Sequence, residues 1–461
     1  MPLATLDARL RSHAEATNSL ALVTAESSLT YAELLSAIDH AEHRLTRAGI
    51  RAGDPVLLSC GFSTEAIPSF LAALRLNAIA VLCSPDDPKI EQKIQASGAV
   101  VHLPGGRLAG LDVDAASDSE VAQARPAEPH PLIARLLKDD APGFVVFSSG
   151  STGEAKAVLH NAQQFCEHLQ GVKKAKSTIG FLAFDHIAGV DTLFYTLFAG
   201  GTLIVPADRS PRSVCEAVES NKAQVLPVSP SFLKLLLVSP ALQEANLSSL
   251  EIVTFGSEPP DPTVINRLSE LLPNTQLMQK YGTSEFGAPR SKTRPGDSRW
   301  IKLESDNFKV RIIDEILWVK ASGTMLGYLN VEPDATSAKL ETDGWFCTGD
   351  RVEQDGEWLR ILGRDSDLIN VGGEKVFPAE VETVIETLPE ILECAVSGEE
   401  HPLMGNVVVA KVRLNEALSQ AEVKKRVRAH CKGKLSRHAI PVKVLVTNES
   451  LTSERGKRLR R

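Results

Sequence analysis

A short segment rich in glycine, hydroxyl side chains and one lysine could bind phosphate. Residues 147–156 read Phe-Ser-Ser-Gly-Ser-Thr-Gly-Glu-Ala-Lys, and they follow an apolar run at 144–147 that is typical of a buried strand. Glycines let the backbone turn sharply, and successive N–H groups in such a turn bind an anion. Hydroxyl groups add donors, and the lysine adds a positive charge. We therefore predict a phosphate loop whose ligands are Ser148, Ser149, Gly150, Ser151, Thr152, Gly153 and Lys156.

The spacing in this loop differs from that of P-loop ATPases. In those proteins four residues separate the two glycines, and a Lys-Ser/Thr pair follows the second glycine directly. Here two residues separate Gly150 from Gly153, and Lys156 lies three positions further on. A plain Ser/Gly turn between two strands would have the same composition, so this loop alone leaves both interpretations open.

The loop resembles that of the adenylate-forming superfamily, which includes acyl- and aryl-CoA synthetases, luciferases and the adenylation domains of peptide synthetases. The order of residue types is kept and His160 follows, whereas Ala155 and Ala157 replace the usual proline and glycine. Further segments resemble family motifs in the family's order. They lie at residues 251–259, 279–285, 343–350, 363–382 and 451–457.

The resemblance implies how a nucleotide is bound. Tyr281 would offer a flat face for adenine, and Asp350 would accept both ribose hydroxyls, since a carboxylate can accept several hydrogen bonds at once. Arg364 would reach the ribose or the phosphates. The residues implied to bind ATP outside the phosphate loop are Gly256, Ser257, Glu258, Tyr281, Gly282, Asp350 and Arg364.

The resemblance also implies three catalytic residues. Thr283 would donate to the α-phosphate. Glu285 would supply a carboxylate oxygen to Mg²⁺, an ion that combines few protein carboxylates with phosphate oxygens. Lys457, in the segment Arg-Gly-Lys-Arg, would be the lysine of the adenylation step, although a solvated basic tail has the same composition.

The acid substrate is expected to lie near residues 181–189. Phe184, His186 and Gly189 fit an aromatic-x-His-x-x-Gly segment that borders the acid pocket of acyl- and aryl-CoA synthetases. A histidine beside apolar residues can equally be a structural group. Phe184-Asp185 also resembles the Phe-Asp pair with which peptide synthetases hold an amino group, so an amino-acid substrate stays open.

The fold class follows from strands and helices that alternate along much of the chain, which favours a parallel α/β sheet. We predict a large N-terminal α/β domain at residues 1–363, a hinge at 364–367 and a small mobile α+β domain at 368–461. The family's hinge position is occupied by Ser366, and a small residue can absorb a large backbone rotation. Gly372 and Gly373 would line a tunnel for the thiol.

Composition narrows the cellular context. The chain has 461 residues, 43% of them hydrophobic, and no apolar run long enough for a membrane span. Its net charge of −8 disfavours broad binding to nucleic acid. Seven scattered cysteines without a CxxC pair, and an N-terminus without a secretory signal, favour a reducing cytoplasm. The oligomeric state stays open.

The function implied by the resemblance is that of an acyl- or aryl-CoA ligase that uses ATP, Mg²⁺ and coenzyme A on a small carboxylic acid. A first alternative is a stand-alone adenylation enzyme that loads an acyl or aminoacyl group onto a carrier protein. A second is a catalytically silent binding module, which the presence of Glu285, Asp350, Arg364 and Lys457 disfavours.

Overall fold

A computed structural model describes residues 2–16, 18–106, 125–149, 155–169, 171–172, 174–256, 262–303, 308–332, 339–415, 418–451 and 460. The described α-helices, which pack on the faces of four sheets, are α1 Pro2–Ala16, α2 Tyr31–Arg47, α3 Ala66–Arg75, α4 Ile90–Ser97, α5 Pro131–Lys138, α6 Ala162–Phe165, α7 Ile187–Ala199, α8 Pro211–Asn221, α9 Pro230–Val238, α10 Ala241–Glu244, α11 Pro262–Leu271, α12 Pro378–Ile385 and α13 Gln420–Cys431.

The first sheet has the strand order β12-β11-β10-β8-β9-β1-β2 and is parallel except at β2. Its strands are β1 Leu20–Val23, β2 Ser28–Thr30, β8 Ser177–Ile179, β9 Thr202–Ile204, β10 Val225–Val228, β11 Ile252–Phe255 and β12 Gln276–Gln279. Thr30 caps α2 in a capping box with Glu33, as its sequence indicates.

The second sheet has the order β17-β7-β6-β4-β3-β5, and its strands β6 and β7 flank the predicted phosphate loop. Its strands are β3 Pro55–Ser59, β4 Ile79–Cys83, β5 Val101–Pro104, β6 Gly143–Ser149, β7 Ala155–Asn161 and β17 Gly327–Tyr328. Every residue of β3 and β4 is buried, because helices or loops cover both faces of these central parallel strands.

The third sheet is antiparallel throughout, with the order β13-β14-β19-β18-β16-β15. Its strands are β13 Ser291–Arg294, β14 Asp297–Leu303, β15 Phe308–Ile313, β16 Ile316–Ala321, β18 Phe346–Asp355 and β19 Trp358–Arg364. One apolar core joins side chains of all three sheets, including Leu22, Phe144 and Leu317, so these sheets form a single large domain.

The C-terminal part has a core of its own, which draws on residues between Ile369 and Val446. Its strands are β20 Ile369–Val371, β21 Glu374–Val376, β22 Ile391–His401, β23 Gly405–Leu414 and β24 Lys443–Val446. With α12 and α13 they make a small α+β domain. The predicted fold class, a large α/β domain followed by a small α+β domain, is confirmed; the domain bounds stay a prediction.

Candidate active site

The predicted phosphate loop connects two paired strands. β6 and β7 are antiparallel, and Ser148 lies opposite Lys156 at the end of the hairpin. Asn330 holds the return strand, since its side chain accepts from the backbone N–H of Ala157 at 2.8 Å and donates to the carbonyl of Ala155 at 2.9 Å. The strands that flank the loop are therefore paired with each other and tied to Asn330. Ser149 ends β6, and Gly150, Ser151, Thr152 and Gly153 lie outside the described residues.

His160 connects this hairpin to the segment that carries Glu285. Its ring is fully buried, with Nε2 at 2.7 Å from the carbonyl oxygen of Ser284 and Nδ1 at 3.2 Å from that of Gly323. It stacks on Phe144 with ring centroids 4.9 Å apart. Burial lowers the pKa of His160 to about 4. The ring is therefore neutral at physiological pH and has a structural role.

Glu285 meets the phosphate loop through Tyr328. The phenol of Tyr328, on the short strand β17, donates to the carboxylate of Glu285 at 3.0 Å. The ammonium of Lys156 lies 5.1 Å from the centre of the same tyrosine ring. The carboxylate predicted to bind Mg²⁺ and the ammonium predicted to bind phosphate thus share one aromatic neighbour. Sequence reasoning assigned no role to Tyr328.

Asp350, Tyr281 and Arg364 form one hydrogen-bonded cluster. Asp350 and Arg364 lie directly opposite each other on β18 and β19, and Arg364 Nε is 2.8 Å from Asp350 Oδ1. The phenol of Tyr281 donates to Asp350 Oδ2 at 2.6 Å. Each carboxylate oxygen keeps further capacity to accept a hydrogen bond. The cluster can therefore accept the two hydroxyls of a diol without losing its internal bonds.

Burial sets the electrostatics of this cluster. It raises the pKa of Asp350 above its ordinary value, while Arg364 and the Tyr281 hydroxyl act in the opposite direction. Burial and the Asp350 charge raise the pKa of Tyr281 well above its usual range. The charge of Glu285 raises the pKa of both Asp350 and Arg364, so the Glu285 carboxylate lies within electrostatic range of this cluster.

Two predicted glycines lie where the backbone is too close for a side chain. A Cβ at Gly256 would be 2.5 Å from the carbonyl oxygen of Lys280, and one at Gly282 would be 2.2 Å from that of Gly287. Thr283 pairs with Gly287 through two backbone hydrogen bonds, and its hydroxyl accepts from the N–H of Glu285 at 3.2 Å. These contacts fix the turn that presents Glu285. Ser257 and Glu258 lie outside the described residues.

The three predicted acid-pocket residues cluster at the start of α7. The imidazole of His186 caps this helix, since Nδ1 accepts from the N–H of Ala188 at 3.3 Å. Phe184 is buried, and its ring stacks on Phe62 with centroids 4.8 Å apart. A Cβ on Gly189 would lie 2.0 Å from the carbonyl oxygen of Ala183. Each residue therefore has a packing or capping role, and their role toward an acid stays a prediction.

Lys280 is a charged residue to which the sequence analysis assigned no role. Lys280 directly precedes Tyr281, and burial lowers the pKa of its ammonium. Two charges act on this ammonium: Asp191 of α7 raises its pKa, and Arg290 lowers it. Asp191 already accepts from His168, with 3.0 Å between Oδ1 and Nε2. Within the described residues no side-chain hydrogen bond satisfies the Lys280 ammonium.

The hinge and glycine positions lie at the entrance to the C-terminal domain. Ser366 is the middle residue of a 3₁₀ turn, Asp365–Asp367, that directly follows β19. Gly372 and Gly373 form the turn between β20 and β21, and both have positive φ angles, 62° and 93°. Lys457 lies outside the described residues. The roles of these four residues in domain motion, thiol entry and catalysis stay predictions.

Comparison with known proteins decides the family. The profile of AMP-binding enzymes matches residues 10–329, and that of the AMP-binding enzyme C-terminal domain matches residues 380–457. The chain belongs to the AMP-binding enzyme family. The predicted membership of the adenylate-forming superfamily is confirmed, and with it the expectation of a ligase that binds a nucleotide.

Relatives of this AMP-binding enzyme act on different thiols, according to their names. The 2-succinylbenzoate–CoA ligase of Bacillus subtilis is 26% identical over 96% of this chain and 94% of its own length. A medium/long-chain-fatty-acid–[acyl-carrier-protein] ligase of Mycobacterium tuberculosis is 26% identical over 94% and 89%. An anthranilate CoA ligase crystallised with anthranoyl-AMP has the same fold, with a TM-score of 0.83 at 20% identity over 100% of this chain and 95% of that one.

Two further observations on this AMP-binding enzyme concern its helices and its cysteines. No described helix is both long and apolar enough to cross a bilayer. All seven cysteines are free thiols, and six of them are buried. The predicted absence of disulfides is therefore what the structure shows.

Proposed function

We propose that this enzyme activates a carboxylic acid with ATP and then transfers the acyl group to the thiol of coenzyme A. The observation that carries the proposal is the convergence of two clusters in one site. Asp350, Tyr281 and Arg364 suit a ribose, whereas Glu285, Tyr328 and Lys156 suit a metal-bound polyphosphate. The family match supports the same assignment.

In the first half-reaction the substrate carboxylate attacks the α-phosphate of ATP. A bond forms between the carboxylate oxygen and phosphorus, the bond to the bridging oxygen breaks, and pyrophosphate leaves. The Lys156 ammonium and the phosphate-loop N–H groups stabilise charge on the leaving group, and Thr283 donates to the α-phosphate. Lys457 bridges the carboxylate and the α-phosphate. No enzyme side chain acts as a covalent nucleophile, so catalysis depends on position and electrostatics.

The residues present fit a magnesium ion. Mg²⁺ takes one or two carboxylates together with substrate phosphates rather than a complete protein cage. Glu285 supplies one such carboxylate, and the Tyr328 phenol fixes its orientation through a 3.0 Å hydrogen bond. Within the described ranges no group of three or more His, Cys, Asp or Glu side chains could hold a metal without a substrate. The ion would neutralise charge on the polyphosphate.

In the second half-reaction the thiol attacks the acyl carbonyl and AMP leaves with the oxygen that came from the acid. The Lys457 side chain must withdraw before the thiol enters, which requires the C-terminal domain to rotate about Ser366. Gly372 and Gly373 then line the path of the thiol, and the turn leaves room for a narrow chain at Gly373, where a Cβ would meet nothing within 4 Å.

A carrier protein is the alternative thiol. The specific observation in its favour is that a relative named as an acyl-carrier-protein ligase matches with the same 26% identity as the 2-succinylbenzoate–CoA ligase. Both thiols react with the same acyl-adenylate, so the first half-reaction is shared. We expect the enzyme to be cytoplasmic, where ATP and coenzyme A are available.

Acid-dependent exchange of labelled pyrophosphate into ATP tests the proposal. The panel contains aromatic, fatty and amino acids. It includes dicarboxylic acids because Lys280 directly precedes Tyr281 and its buried ammonium has no hydrogen-bonding side chain among the described residues. Exchange with at least one acid, followed by thioester formation with coenzyme A, supports the proposal. Thioester formation only with a phosphopantetheinylated carrier protein would support the alternative, and no exchange with any acid would refute both.

A further inference from the structure

The guanidinium of Arg460 binds two carboxylates of the C-terminal region. Its Nε and Nη2 atoms donate to the two oxygens of Glu382 at 2.8 Å each, and Nη1 donates to Asp367 at 2.8 Å. Glu382 lies on α12, is only 2% exposed, and accepts the N–H of Val396 as well. A bidentate bond to a buried carboxylate is among the stronger and more geometrically specific contacts in proteins. Arg460 is therefore firmly attached to the domain core.

The second carboxylate that Arg460 binds, that of Asp367, is next to the predicted hinge residue Ser366. Asp367 and Asp365 flank Ser366, and Asp365 accepts from Arg351 Nε at 2.6 Å. Arg351 belongs to β18 of the large domain, whereas Arg460 is attached to the small one. Asp365 is thus bound to the large domain, and Asp367 is bound to the small domain. A rotation confined to Ser366 would leave both ion pairs intact.

The described residues on either side of the segment that contains Lys457, Leu451 and Arg460, are both bound to the C-terminal domain. At its start the N–H of Leu451 donates to Glu393 at 2.6 Å, and at its other end stands the Arg460 anchor. Only two residues separate Lys457 from Arg460, so their Cα atoms are at most about 11 Å apart. A segment closed at both ends explores far fewer conformations than one with a free end.

From these contacts we propose that Arg460 is a positioning residue for adenylation, an inference that depends on the proposed role of Lys457. By binding Glu382 and Asp367 it makes the lysine-bearing segment move as one unit with the C-terminal domain. The lysine then reaches the carboxylate and the α-phosphate already oriented, because the entropy of ordering the segment is lost on folding and not during the reaction.

The test compares Arg460→Gln with a matched control, Arg426→Gln. Arg426, on α13 of the same domain, also donates to a buried carboxylate, that of Glu390 at 3.2 Å, but it is not part of the tail. For each variant we would measure pyrophosphate exchange, thioester formation from supplied acyl-adenylate, and the melting temperature. Arg460→Gln should lower kcat for exchange at least tenfold, keep KM for ATP within about twofold, and spare thioester formation. Arg426→Gln should change neither half-reaction.

The conservative variant Arg460→Lys guards against a folding defect. It keeps a positive charge near Glu382 and should recover part of the lost exchange rate. Exchange at the wild-type rate in Arg460→Gln would overturn the inference and leave the proposed function intact. The inference would also be overturned if Arg460→Gln slowed both half-reactions equally and in proportion to a lower melting temperature, because that result indicates a merely structural role. No exchange in the wild type would overturn the proposed function and this inference with it. Full exchange in Lys457→Ala would overturn the proposed role of Lys457, and with it this inference, and would leave the proposed function intact.

Discussion

Replacement of His160 by glutamine should change how the stability of the enzyme depends on pH. The folded-state pKa of His160 is about 4, against an ordinary value of 6.5, because the ring is completely buried. As the pH falls below 6.5, the unfolded chain takes up a proton at this position and the folded chain does not. Above pH 6.5 this histidine therefore does not favour the unfolded chain. As the pH falls from 6.5 toward 4, the free energy of unfolding decreases.

The pKa difference sets the magnitude. One pKa unit corresponds to about 1.4 kcal/mol. Protonation of His160 in the unfolded chain should therefore lower the free energy of unfolding by about 2 kcal/mol at pH 5 relative to pH 7.5. Glutamine does not titrate and can still donate to the Ser284 carbonyl. At pH 7.5 we expect the variant to be less stable by about 1 kcal/mol, because the 4.9 Å ring stack with Phe144 is lost.

Urea unfolding of both proteins from pH 7.5 to pH 5 measures the effect. The free energy of unfolding of the wild type should decrease more steeply than that of His160→Gln, and the order of stability should reverse near pH 6, where the loss of about 1 kcal/mol cancels the advantage of the ring stack. Acid protonates carboxylates in both proteins, so only the difference between the two curves is informative. Parallel curves would mean that the ring is not buried in its neutral form, and the described link between β7 and Glu285 would be wrong.

Three further substitutions test the site. Asp350→Asn should raise KM for ATP at least tenfold in pyrophosphate exchange, because the amide cannot replace both acceptor oxygens and loses the charge that pairs with Arg364; an unchanged KM would contradict ribose binding at Asp350. Lys457→Ala should abolish adenylation and spare thioester formation from supplied acyl-adenylate, whereas equal losses would argue against a lysine that withdraws between steps. Gly189→Ala should destabilise the fold by about 2 kcal/mol or more, because its Cβ would lie 2.0 Å from the Ala183 carbonyl, and Gly61→Ala, whose Cβ meets nothing within 4 Å, is the matched control for melting temperature.

Local signals predicted much of the fold. The apolar runs of β3 and β4 identified buried parallel strands, and the Thr30–Glu33 spacing identified the start of α2. The strands on either side of the predicted phosphate loop were identified because its glycines interrupt two apolar runs. In each case the decisive interactions lie within a few residues along the chain, where sequence patterns carry information.

The geometry of the site depended on register, which sequence could not supply. A bulge between Arg351 and Val352 shifts the pairing of β18 and β19 by one residue. Without it Asp350 would face Gly363, and with it Asp350 faces Arg364. A one-residue shift changes which side chains share a face of the sheet. No residue pattern in this hairpin predicts the bulge that causes the shift.

Contacts between distant segments were also missed. Tyr328 reaches Glu285 because the two-residue strand β17 pairs with β7, and a strand that short has no periodicity to detect. Arg460 reads as one of several charges in a basic tail. Its bidentate bond to Glu382 joins residues 78 positions apart, and only the folded domain brings them together.

The central claim is that the substrate carboxylate attacks the α-phosphate of ATP. An acid identified by the exchange assay and labelled with ¹⁸O in its carboxyl group tests this claim directly, with mass spectrometry of the products after one round of thioester formation. We predict that the AMP released contains one ¹⁸O atom, because the attacking oxygen stays on phosphorus when the thiol displaces AMP. Unlabelled AMP, or label in inorganic phosphate together with ADP, would contradict the account.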